Sequence, residues 1–178
     1  MRQSAWRRAW TVLVSAVGLG VIAGLVWWHM ATPGQWEMRD VGLSLTEEAS
    51  RGQFQVIVVF TLIGVIAALA WSVVLSLLFG ESGWQLVVAI MAGSVLAAIV
   101  AWQVGAFVGP PPVETAVGLQ IGDTVPDELM IDSASPFLAW PIAALVGVLL
   151  VSWGRGREPV SYERDTDATT APVIDSKT

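Results

Sequence analysis

Four stretches free of Asp, Glu, Lys and Arg, at 9–30, 56–79, 84–107 and 137–153, constrain the fold of this chain more than any other feature. At about 1.5 Å of rise per residue the first three are long enough for a helix to cross about 30 Å of hydrocarbon, and the fourth, about 17 residues, sits at the short limit. Hydrocarbon offers the backbone no hydrogen-bond partner, so such segments satisfy their amides internally, as helices. The expected fold is all-α and membrane-spanning, a four-transmembrane-helix bundle. Composition agrees, with 54% hydrophobic and only 13% charged residues, a departure from soluble averages in the direction that long apolar runs produce.

The charges fall outside these runs and are sorted by sign. Arg2, Arg7 and Arg8 precede the first span, in segment 1–8, and Arg155 and Arg157 follow the last. Loop 31–55 carries Arg39 and Arg51 against Glu37, Asp40, Glu47 and Glu48, and loop 108–136 carries five acids and no base. Basic residues mark cytoplasmic ends, so both termini and the turn 80–83 are expected in the cytoplasm and both long loops outside it. The first run exceeds a secretory h-region and no Ala-x-Ala site follows it, so it is expected to stay as a membrane anchor. Residues 154–178 are rich in Asp, Thr, Pro and Ser and are expected to be a disordered cytoplasmic tail. A net charge of −6 leaves nothing basic enough to bind nucleic acid.

Within the spans the distinctive residues are small ones. Ala89, Gly93, Ala97, Ala101 and Gly105 recur every fourth residue, as do Ala139, Ala143 and Gly147, and Ala16, Gly20 and Gly24. In lipid, helices associate through close van der Waals packing, which small residues at this spacing allow. The first, third and fourth spans are therefore expected to pack together. Gly80-Glu81-Ser82-Gly83 is short enough to make the second and third spans antiparallel neighbours. Most of the ten tryptophans lie near span ends, as an interfacial belt requires. His29 and Gln103 read as interfacial polar groups, and Ser72 and Ser76 as hydroxyls bonded to carbonyls one turn back.

The loops carry strand signals. Val117, Leu119 and Ile121 alternate with other residues, as do Leu129 and Ile131, and Gly122-Asp123 with Pro126-Asp127 supplies turn chemistry between them. A small extracytoplasmic β-hairpin cap is expected there. Two strands alone are marginal in water, so the hairpin needs a cover, for which Trp36, Met38, Leu43 and Leu45 are the nearest apolar residues. Asp123, Asp127, Glu128 and Asp132 would then offer an acidic face to a partner. Their spacing matches no EF-hand loop, so they read as a solvated surface rather than a calcium site.

Chemistry is sparse. With one histidine and no cysteine, thiol catalysis, disulfides, iron–sulfur sites and histidine-pair zinc motifs are excluded. The chain has no P-loop, no Rossmann fingerprint and no Gly-x-Ser-x-Gly elbow. No enzymatic activity, metal or cofactor is expected. The spans also lack the ionisable groups that ion and proton paths use.

Gly24-Leu25-Val26-Trp27-Trp28 running into Ala31-Thr32-Pro33, Gly64 with Ala70-Trp71, and Gly93 with Trp102-Gln103-Val104-Gly105 before Gly109-Pro110-Pro111 resemble actinobacterial four-helix membrane proteins of a family of unknown function. The likeness covers roughly residues 15–155 and implies a bacterial plasma-membrane location without assigning any catalytic residue. The expected role is a structural or accessory subunit that docks through its outer loops to another envelope or respiratory membrane complex. The alternative is a component of a small-solute channel or transporter, which would need homo-oligomerisation to form a pore.

Overall fold

The computed structural model describes residues 2–39, 42–45, 47–80, 83–111, 123–127 and 129–156. In chain order the elements are α1 (Arg2–Met30), β1 (Gln35–Arg39), β2 (Gly42–Leu45), α2 (Glu47–Phe79), α3 (Trp84–Val108), β3 (Thr124–Pro126) and α4 (Ser135–Arg155). Four segments are long and apolar enough to cross a membrane: Ala9–Met30, Phe54–Phe79, Trp84–Val108 and Ser135–Arg155. α3 stops where Gly109 takes an extended conformation ahead of Pro110, because the residue before a proline is held out of the helical region. α4 starts two residues ahead of its apolar run. Pro136 sits in its first turn, where a missing amide hydrogen leaves nothing unsatisfied.

The helices form a ring in the order α1, α3, α4, α2. α1 lies along α3 and α2 along α4, the α3/α4 edge is looser, and the α1/α2 edge is looser still. α2 and α3 are joined by the shortest connection but face each other across the ring and touch little, which corrects the expectation that they are neighbours. A short turn fixes which ends lie together; side-chain shape decides which flanks do. The α1/α3 seam is parallel and in constant register, Ala16 meeting Gly93, Gly20 meeting Ala97 and Gly24 meeting Ala101. A Cβ on Gly20 would lie 2.7 Å from the Ala97 carbonyl oxygen, and one on Gly24 2.6 Å from that of Ala101. The two backbones therefore approach as closely as glycine allows.

The other small residues serve different partners. Gly147 of α4 faces Ser72 and the Leu69 carbonyl of α2 rather than α3, a second correction. Gly93 and Gly105 of α3 accept indole rings, those of Trp71 and Trp27, and Gly64 of α2 accepts that of Trp140. Ala97, Ala101 and Ala143 are buried, whereas Ala89 and Ala139 are only half-buried. The buried hydroxyls of Ser72 and Ser94 donate to the carbonyls of Leu69 and Met91 at 2.9 and 2.8 Å. Ser76 Oγ has no such bond; it is the carbonyls of Ser76 and Leu77 that accept, from the Arg155 guanidinium at 2.9 and 3.1 Å.

Candidate functional site: a sheet built from two loops

Beyond the helices, at the end where α1 stops and α2 starts, a three-stranded antiparallel sheet has the order β2-β1-β3. β1 and β2 pair with Trp36 opposite Leu45 and Met38 opposite Leu43, and β1 pairs with β3 with Trp36 opposite Val125. In the same register Glu37 is opposite Ser44 on one side and Thr124 on the other. The bond from the Asp127 amide to the Gly34 carbonyl, 2.7 Å, extends the β1/β3 contact by one more link.

The expected hairpin within 108–136 is thereby corrected. The residues proposed as its cover are themselves the hairpin, β1 with β2, and the second loop contributes one short strand, β3, to its edge. Leu129 and Ile131 are not in a strand; they run irregularly and are buried, Leu129 reaching within 3.0 Å of where a Gly109 Cβ would sit. Residues 117–121 lie outside the described residues, as do the structural surroundings of Glu128. Of the other acids, Asp123 precedes β3 and is exposed, Asp127 follows it and is half-buried, and Asp132 is exposed. Three of the four acids singled out in the sequence thus fall within ten positions along the sheet edge and the chain leaving it.

The sheet is tied to the bundle at defined points. A Cβ on Gly52, in the first turns of α2, would lie 2.6 Å from the Gly34 amide nitrogen and 2.7 Å from its Cα, so loop and helix backbones touch. Below that contact Trp27 Nε1 donates to the Val56 carbonyl at 3.0 Å, closing α1 onto α2. Trp27, wholly buried, meets Phe60 edge-on at 5.1 Å. Phe60 in turn packs on Phe137 and Trp140, and Phe137 on Trp102. This aromatic layer joins all four helices directly under the sheet. The sequence reading assigned such tryptophans to the membrane interface; glycines on neighbouring helices were the signal that some of them turn inward.

Among the described residues the buried polar side chains are Ser72, Ser76 and Ser94, and there is no group of three or more His, Cys, Asp or Glu placed to hold a metal. His29 is exposed beside Trp28. Four apolar helices packed as a bundle define a multi-pass membrane protein. No family model, curated protein or solved structure matches the chain.

Proposed function

We propose that this protein is an accessory subunit of a larger bacterial plasma-membrane assembly, docking to its partner through the sheet and the acids beside it. The observation that carries the reading is the pairing of β1 with β3, which turns two separate loops into one folded surface. Recognition needs polar groups held in fixed relative positions, and loops on a rigid scaffold supply them. The sheet is such a place, bound to α2 through Gly52. The bundle is filled by aromatic rings and methyl groups, which favours a packed support over a pore through its own axis. With the arginine-rich ends in the cytoplasm, the sheet lies outside, where an acidic surface attracts a basic partner and releases it as salt screens the charges.

The test is purification through a C-terminal tag in mild detergent, comparing the parent with a variant carrying Asp123→Asn, Asp127→Asn, Glu128→Gln and Asp132→Asn. The expected outcome is a stoichiometric partner with the parent and its loss from the variant at unchanged thermal stability. Equal recovery from both would remove the acids from the reading. A homogeneous homo-oligomer with no second protein would replace it with the channel alternative.

A further inference from the structure

The loose α1/α2 edge leaves a groove of about 470 Å³ on the outer flank of the bundle, lined by Leu19, Val26 and Met30 of α1 and Val59, Ile63 and Ala67 of α2 among others. We propose that this groove holds one acyl chain of a glycerophospholipid from the leaflet at the sheet end. The inference is independent of the accessory-subunit reading.

Length is the first reason. From Leu19 to Met30 the groove follows α1 for about 16 Å at 1.5 Å per residue, close to the roughly 15 Å that one leaflet contributes to the hydrocarbon core. It opens at the α1 terminus and ends near mid-membrane. Beyond that point the edge is closed by Trp71, whose Nε1 donates to Ser15 Oγ at 3.1 Å. A partner transmembrane helix would need a seam across both leaflets, about 30 Å, and half of that seam is blocked.

Shape is the second. The Trp27–Val56 hydrogen bond ties the two helices together behind the groove. The α3/α4 edge has its own plug at the same end, Trp102 standing edge-on to Phe137 at 6.0 Å. Between α1 and α2 the corresponding pair, Trp27 edge-on to Phe60 at 5.1 Å, is buried inside the ring, and the outer flank is left to aliphatic side chains and the small Ala23 and Ala67. A slim, flexible, wholly apolar chain fits such a space. Since an acyl chain leaves lipid to enter it, retention comes from denser van der Waals contact rather than from escape from water.

The mouth is the third. Gln55 lies one turn from Val59, on the groove side of α2 by helical periodicity, and its Nε2 donates to Thr32 Oγ1 at 3.0 Å. Both side chains are exposed and stand at the ends of the Ala9–Met30 and Phe54–Phe79 segments, where the proposal puts the glycerol esters and phosphate, which accept hydrogen bonds from amides and hydroxyls.

The intact protein is placed in vesicles of phosphatidylethanolamine and phosphatidylglycerol that contain a trace of phosphatidylglycerol with a diazirine near the acyl terminus. After photolysis, adducts are mapped by peptide mass spectrometry. Expected is a several-fold excess of adducts on Leu62–Ala67 over Val95–Ile99, although Leu62, Ile66, Val95 and Ile99 are all exposed and both segments lie near the middle of their spans. Ala67→Phe fills the groove and is expected to abolish the excess, while Val74→Phe leaves it intact. Uniform labelling of the two segments overturns the proposal with the parent protein alone. An excess that survives Ala67→Phe, or a membrane protein cross-linked in place of lipid, overturns it as well.

Discussion

A tryptophan ring seated on a glycine of another helix recurs three times in this bundle: Trp27 on Gly105, Trp71 on Gly93 and Trp140 on Gly64. Each ring fills volume that a four-helix core of alanines and valines would leave empty, and each glycine removes the Cβ that would keep the ring out. The same residue type does another job where two backbones meet, at Gly20 and Gly24, and a comparison within α1 separates these sites from a glycine that merely faces lipid. Gly24→Leu pushes a side chain into the Ala101 carbonyl, overpacking that costs about 1–3 kcal/mol or more. A Cβ on Gly18 would meet nothing within 4 Å, and Gly18→Leu is expected to shift stability by no more than about 0.5 kcal/mol, as at other open surface positions. Thermal unfolding of both variants in the same detergent measures the difference, and equal melting of the two would mean that the α1/α3 backbones are not in contact. The tryptophans were hard to place from the sequence because indole suits both an interface and a core that offers a small neighbour.

At the level of elements, the helices were legible because an uncharged run of twenty or so residues has one solution in lipid. Partner choice was not, because all four faces are apolar and the selection rests on matched bumps and hollows several turns apart. The sheet was partly legible. Alternation was recognised in the second loop, where it was strongest in Val117, Leu119 and Ile121, while Gln35-Trp36-Glu37-Met38-Arg39 alternates polar with apolar just as regularly and forms β1. What no local pattern contains is the pairing of β1 with β3, whose partners are separated by two helices. Gly52 is the element-level hinge of that arrangement. Gly52→Val places two methyl groups against the Pro33-Gly34 backbone and is expected to detach the sheet while leaving the helices formed. Hydrogen exchange reads this directly: amides of β1 and β3 lose protection and those of α3 keep it. Unchanged protection of β1 would show that the loop does not rest on α2.

For the molecule as a whole, the proposed orientation rests on arginines that flank the first and last spans, and a cysteine-free chain makes it easy to check. Thr124→Cys, at an exposed position, is expected to react with an impermeant maleimide in intact cells; reaction only after lysis would invert the topology. The parallel packing of α1 on α3 has a further bearing on biogenesis. Contact partners such as Gly24 and Ala101 are separated by roughly 80 residues of chain, which at about 5–20 residues per second takes the ribosome on the order of 4–16 s to complete. For most of that interval α2 is itself incomplete, and once made it is the one helix beside α1, across the loosest edge of the ring. The first two helices are therefore an unfinished half, whose close backbone packing arrives only with α3.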